Sequence, residues 1–435
     1  MIERRAGSAK ATSIAGDIAV APIRRGPADP STVVQSSAPP RMSSKSTIVG
    51  IDLGTTNTSV AAAIGTKVTI LTPGDGTRSF PSVVSLPEPR QVLVGAAARA
   101  RITTDPGRTI ASPKRLLGRK HADREVQTLI GGAPYPSRAA EDGAVVVEID
   151  GEAYAIPQLC AHLLTEAKRI AEQHLKQPVT EAVLAVPVSF DETRCRALET
   201  AAKLAGLDVV GLIAEPNAAA LANRYIAGFA GLIGIYDFGG GTFDFSIVDV
   251  SRSRFQVVAA MGDAWLGGDD IDTVVAEAAA NQFWRQHKVD LRRQAVEYQR
   301  VRFACEEAKR TLSTASSTTL HVREVLRTTD GMVDLKLALD TRTLARAAGA
   351  IIRRTLDVCQ QALRKAGITG DQLTGVYLCG GSSQMPAVRE AVQKFFGVPI
   401  HAGVPPEQAV CLGAAIHASL IAARRSSPAI PTPRV

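Results

Sequence analysis

The 435-residue sequence predicts an α/β protein of two related lobes around a shared ligand cleft. Three observations carry that reading. One device occurs twice: Ile51-Asp52-Leu53-Gly54-Thr55-Thr56 and Tyr236-Asp237-Phe238-Gly239-Gly240-Gly241-Thr242. Each puts an aspartate near the end of an apolar strand, ahead of a Gly/Thr turn and a returning strand, and the two aspartates lie 185 residues apart. Strand-like runs also alternate with helical periodicity over most of the chain. Finally, two small-residue helices at 216–222 and 413–418 have few large side chains, so they can cross closely, as a hinge between lobes requires.

In chain order, 48–52 and 59–64 are the arms of the first hairpin, and 68–71 and 82–86 add strands. Residues 158–176 read as an amphipathic helix, 181–187 as a buried strand, and 191–205 as a helix entered through Asp191 as its N-cap. Strands at 232–236, 243–250 and 255–261 form a second group. Residues 271–312 read as mostly helical, followed by a helix at 344–366, a strand at 375–378 and a helix at 385–396. The Ser-, Pro-, Ala- and Gly-rich stretch 1–45 reads as a disordered leader, with Met42 an alternative start, and 423–435 as a disordered tail.

The composition, 45% hydrophobic and 21% charged, is that of a soluble globular chain. Of the net charge of +8, residues 1–45 hold +4 and residues 421–435 hold +3. The basic character therefore belongs to the ends, and nucleic acid is not an expected partner. Cys160, Cys195, Cys305, Cys359, Cys379 and Cys411 stand singly, with no metal-binding spacing, which fits a reduced, cytoplasmic compartment. No apolar run approaches the ~18 residues of a membrane span, so no membrane partner is expected.

The paired turns suggest their own chemistry. Glycine lets the backbone approach a ligand closely, successive turn N–H groups can point at anionic oxygens, and Thr hydroxyls add donors. An aspartate beside them can hold Mg²⁺ directly or through water. Two such hairpins facing each other would clamp a polyphosphate–metal unit from both sides.

Specific motifs then identify a relative. GIDLGTTNTSV at 50–60, FPSVV at 80–84, KRLLGRK at 114–120 and AVPVSF at 185–190 occur in this order. AEPNAAALA at 214–222, YDFGGGTFDFSIVDV at 236–250, GDAWLGGDDID at 262–272, CEEAKRTLS at 305–313 and CGGSSQMP at 379–386 follow. Together they resemble the nucleotide-binding domain of the seventy-kilodalton heat-shock chaperone family, over about residues 47 to 422. The resemblance implies an actin-like ATPase fold: two ribonuclease-H-like lobes, 46–230 and 231–422, in four subdomains, with 271–349 as the upper part of the second lobe.

It also implies roles. Asp52 and Asp237 would hold Mg²⁺ through its waters. Gly54, Thr55, Thr56 and Asn57, with Gly239, Gly240, Gly241 and Thr242, would cradle the phosphates. Lys114 resembles the catalytic lysine near the γ-phosphate, and Glu215 the carboxylate that orients water or metal, with Asp237, Thr242 and Asp244 assisting. Glu306, Lys309, Arg310 and Ser313 match the contacts to sugar and base and share one helix face by their spacing. Gly268, Gly381, Ser382, Gln384 and Glu407 complete the nucleotide site. The implied cofactors are ATP/ADP and Mg²⁺, with K⁺ as an optional companion, and the implied reaction is slow hydrolysis of ATP to ADP and phosphate.

Departures from the family pattern qualify the coupling. Gln384 stands where an arginine usually lines the base, which removes a stacking contact. Cys195 takes the place of an interlobe signalling arginine, between Arg194 and Arg196, while its proline partner survives as Pro187. Gly211 takes the place of an arginine used for J-domain docking. No acidic-leucine linker or substrate domain follows residue 422, so peptide binding by this chain alone is not expected. The reading is a monomeric ATPase switch, chaperone-like or chaperone-derived, with a protein partner or nucleotide-exchange factor as its possible contact. The alternatives are a non-hydrolysing ATP-sensing module and an actin-like filament protein.

Overall fold

The computed structural model describes residues 48–426, except 66, 75, 229, 251–254, 329–330 and 402. The expected leader, and residues 427–435 of the expected tail, lie outside the described residues.

Two sheets organise the protein, and their connections match. The first runs Asp208–Ala214, Glu181–Val186, Ile48–Leu53, Asn57–Ile64, Lys67–Leu71. In it Ile48–Leu53 pairs antiparallel with Asn57–Ile64 and parallel with Glu181–Val186. The second runs Phe255–Asp263, Phe243–Val250, Gly231–Phe238, Gly375–Cys379, and its Gly231–Phe238 strand makes the same antiparallel and parallel pairings. Each sheet is thus a three-strand meander whose first strand also pairs with a later parallel strand. The repeat seen in the two sequence motifs extends to topology. Both faces of the central strands are covered, so Ile48–Leu53 and Phe243–Val250 are buried almost continuously, the polar Asp244 and Ser246 included.

The small-residue helices lie where the two sheets meet. Glu215–Ala227 and Ala409–Ser426 share one core with Val183 and Ile213 of the first sheet and Ile233 and Val248 of the second. Their approach is closer than any side chain permits: a Cβ on Gly413 would sit 1.8 Å from the Ala218 carbonyl oxygen. A Cβ on Gly50 would likewise sit 2.1 Å from the Ala415 nitrogen. The last helix runs to Ser426, so residues 423–426 of the expected tail are helical.

Other elements fall near their expected places. The Ile156–Leu175 and Glu192–Leu204 helices are present, and the Asp191 carboxylate caps the second by accepting the Arg194 backbone N–H at 2.9 Å. The stretch 271–312 is not one helix. Gly268–His287 ends at Lys288 in left-handed conformation (φ 57°), a 3-10 turn Leu291–Arg293 follows, and a new helix runs Ala295–Thr311. Several features had no counterpart in the sequence reading, among them the Asp208–Ala214 strand, the Arg124–Gly131 helix, the hairpin Ser317–Thr328/Gly331–Asp340, and the small sheet of Ser137–Ala139, Val145–Ile149 and Glu152–Ala155. The signal for the hairpin was available, because Leu335, Leu337 and Leu339 alternate with Lys336 and Ala338.

Candidate functional site

Both hairpin tips reach one cleft of about 440 Å³ between the sheets. In the first, Asp52 pairs with Ser59 across the ladder; in the second, Asp237 pairs with Asp244. Ser82 holds the first turn, donating its hydroxyl to the Gly54 carbonyl at 2.7 Å, while its backbone N–H donates to Thr56 at 2.8 Å. The second turn is held from elsewhere. The N–H groups of Gly268 and Asp269 donate to the carbonyls of Gly239 and Gly240 at 3.0 and 2.8 Å, and the Ser382 hydroxyl donates to Gly239 at 2.8 Å.

The tips touch. A Cβ on Gly240 would lie 1.8 Å from Thr56 Oγ1, and one on Gly241 would lie 2.6 Å from Thr55 Cγ2. Glycine is needed at these two positions for close approach rather than for an unusual backbone angle.

Lys114 enters on a 3-10 turn, Pro113–Leu116, that follows Ser112 in left-handed conformation. It is 3% exposed, and its Nζ donates to Glu215 Oε1 at 2.8 Å. Glu215 opens the Glu215–Ala227 helix, so the cleft's lysine is tied to one of the crossing helices. Around this pair the charge is lopsided, with Asp52, Asp237, Asp244 and Glu215 gathered near one ammonium. Burial, reinforced by Glu215 and opposed by Lys114, pushes Asp52 up to about 7. Burial raises Asp237 and Asp244 well above the ordinary carboxylate range, with Glu215 adding to both.

Crowded buried carboxylates of this kind call for further positive charge. Asp244 Oδ1 and Thr56 Oγ1 are buried with no hydrogen-bond partner among the described residues. Together with the glycine cradle, this donor set fits a divalent cation carrying a polyphosphate. Among the described residues, no three His, Cys, Asp or Glu side chains are grouped to grip a metal ion directly.

The cleft is also lined by Glu306, Lys309, Arg310 and Ser313, and by Gly381, Ser382, Gln384 and Glu407. Lys309 is already committed, donating to Asp272 at 2.6 Å and to the Gly268 carbonyl at 2.9 Å. Arg99, from the first half of the chain, reaches across to Glu306 at 3.2 Å and also pairs with Glu307. Gln384 donates to Glu407 at 3.2 Å, and the Arg310 side chain is exposed.

Gly54, Thr55, Thr56, Asn57, Gly239, Gly240 and Thr242 also line the cleft, whereas Gly241, Gly268 and Asp244 pack just behind its surface. The sequence reading missed Ser59, Ser79, Asp269, Thr314, Gly380, Met385, Pro406 and Val410, which line it too. Ser59 had a signal: it holds the ladder position that Asp244 holds in the repeat. Gly380 had no such signal: its φ of 75° and the Phe238 carbonyl oxygen 2.4 Å from a would-be Cβ show the need for glycine only once the fold is in place.

A sequence model described as Hsp70 protein matches residues 48–429. The chain belongs to the Hsp70 family. Members of this family are generally ATPases that bind ATP or ADP with Mg²⁺, and the match covers the nucleotide-binding region. No helix among the described residues is long and apolar enough to cross a membrane.

Two positions where this chain departs from the Hsp70 pattern have clear surroundings. Cys195 is half-buried on the Glu192–Leu204 helix. Gly211 lies in the Asp208–Ala214 strand, where a Cβ would come within 3.2 Å of Ile421 Cδ1. The last helix therefore lies against that position.

Proposed function

We propose that this protein is a slow Mg²⁺-dependent ATPase with the two-lobed, four-subdomain actin-like architecture, working as a nucleotide-driven chaperone or chaperone-derived switch. The carrying observation is that the two matching hairpins converge on one cleft beside a buried Lys114–Glu215 pair.

Mg²⁺, when bound, supplies the positive charge that the crowded carboxylates and the phosphate oxygens need. Asp52 and Asp237 would be the residues that hold it. The N–H groups of the 54–57 and 239–242 turns, with the Thr55, Thr56 and Thr242 hydroxyls, bind and orient the phosphates from both sides. The Lys114 ammonium, placed at the phosphate end, stabilises negative charge developing in the transition state. Glu215 fixes that lysine and can accept a hydrogen bond from the attacking water, with Asp244 behind it. Glu306, Arg310, Ser313 and the 381–384 turn seat the nucleoside. The crossing of Glu215–Ala227 on Ala409–Ser426 serves as the hinge that links nucleotide state to lobe closure.

Cys195 and Gly211 offer no guanidinium to a J-domain partner, so stimulation by such a protein is expected to be weak.

The test is phosphate release by wild type and by Lys114→Ala. The variant should still bind ATP but lose ~10²–10³ in turnover, the usual loss on removing one preorganised charge. Equal turnover in the two would remove Lys114 from the mechanism. ATP binding without turnover in the wild type would leave an ATP-sensing module instead.

A further inference from the structure

Arg194 stands next to Cys195, and its side chain turns inward. It sits in the first turn of the Glu192–Leu204 helix and is 2% exposed, whereas Cys195 is half-buried. Its guanidinium lies 3.8 Å from the centroid of the Phe190 ring, and Lys114 Nζ approaches the same ring at 5.4 Å. Its Nε donates to the Leu117 carbonyl at 3.3 Å, directly after the turn that carries Lys114. The loop lies hard against the helix here: Gly118 has φ +68°, and a Cβ on it would meet Arg194 Cα at 2.8 Å.

Arg194 Nη1 is buried with no hydrogen-bond partner among the described residues. Asp191, Glu215 and Asp244 pull on the guanidinium at longer range and Arg119 opposes them. Burial, the largest influence, lowers it to about 10, so it stays charged at neutral pH. A buried cation with a donor to spare is costly, and an apolar side chain would fill the space at less cost. The charge therefore needs a use, and its nearest dependants are the lysine loop and the carboxylates beyond it.

We propose that Arg194 is a positioning residue for Lys114: it pins the 113–120 loop through Leu117 and Phe190 and adds a second fixed positive charge behind the phosphate end of the cleft. This rests on the nucleotide-hydrolysis reading above.

The test is a double-mutant cycle with Lys114→Ala, using Arg194→Met to remove charge and donor at similar size, and Arg194→Lys to keep the charge. Arg194→Met should lower kcat about tenfold or more with KM within about twofold, the pattern of an interaction felt in the transition state. Arg194→Lys should recover most of the loss. In the Lys114→Ala background, Arg194→Met should change little, because its effect runs through that lysine. Equal losses in both backgrounds, no recovery with lysine, or a raised KM at unchanged kcat would overturn the proposal. If wild type turns over no ATP, the ATPase reading falls by itself. The same cycle, read on the ratio of ATP to ADP affinities, then decides Arg194: coupling supports the role, and additive effects overturn it.

Discussion

The two hairpins are one device in sequence and topology, yet they differ in charge and support. In the first, Asp52 faces Ser59, and the turn is pinned by Ser82, which lies between the short strands Phe80–Pro81 and Val83–Ser85. In the second, Asp237 faces Asp244, and the turn is pinned by Ser382 and the start of the Gly268–His287 helix. The second hairpin therefore brings an extra carboxylate, while the buried lysine comes from the first half of the chain. Carboxylates therefore outnumber the buried ammonium beside the two hairpins, and that excess negative charge is what a bound cation would relieve. A repeat keeps its backbone geometry because turn chemistry is demanding, and it can diverge at the ladder position beside the aspartate.

The largest effect should come from separating the tips. Gly240→Ala drives a methyl into Thr56 Oγ1 and should cost about 1–3 kcal/mol, as overpacking of a tight contact does. Nucleotide affinity should fall with it, by roughly tenfold or more. Adding Thr56→Ala should restore much of the stability in thermal melts. Full tolerance of Gly240→Ala alone would mean that the tips do not meet in solution.

The charge difference predicts a graded response. Neutralising the crowded pair on the second hairpin, with Asp237→Asn or Asp244→Asn, should stabilise the ligand-free protein more than Asp52→Asn does, since burial and neighbouring carboxylates disfavour the charged form of both groups most strongly. All three should weaken Mg²⁺-dependent ATP binding. Denaturant melts without ligand, paired with titrations of ATP in Mg²⁺, check both halves. Equal stabilisation by the three would erase the distinction between the hairpins.

Titration sharpens the same point. Asp52 and Asp272 are pushed from 3.8 to about 7, burial being the main cause in each. A carboxyl whose folded pKa lies above its unfolded value holds its proton more tightly when folded, so stability is lost as pH rises between the two values. The ligand-free protein should therefore melt at lower temperature as pH rises from about 4 to 7. Mg²⁺ with ATP should recover most at the upper end, where the carboxylates it neutralises are charged. Calorimetry across that range reads the slope, and a ligand-free melting temperature that climbs with pH would contradict it.

The smallest effect lies outside the hairpins, where Gln384 and Arg310 line the cleft. On the proposed reading, Gln384→Arg would bring a guanidinium to the base, in the cleft that Arg310 also lines. A stack of this kind adds ~0.5–1 kcal/mol at an exposed site, so ATP affinity should rise a few-fold with little change in turnover. Unchanged affinity would mean that Gln384 does not face the base.

What the sequence alone determined was local. Asp52 with Gly54–Thr56, Asp237 with Gly239–Thr242, and Asp191 at its helix cap each declare themselves within a few residues, because turns and caps are set by neighbouring φ angles and side-chain reach. The family motifs named Lys114, Glu215 and Glu306 without saying what each touches. The tertiary structure decided the partners: Glu215 for Lys114 across 101 positions, Asp272 for Lys309, and Arg99 for Glu306. It also decided that Arg194 turns inward while Cys195 is half-exposed, and that Gly413 meets Ala218 with no room for a methyl. Neither outcome is carried by a local pattern. A buried charge goes where long-range packing leaves it an opposite charge or a carbonyl, and a close helix crossing shows itself only when both helices are in place.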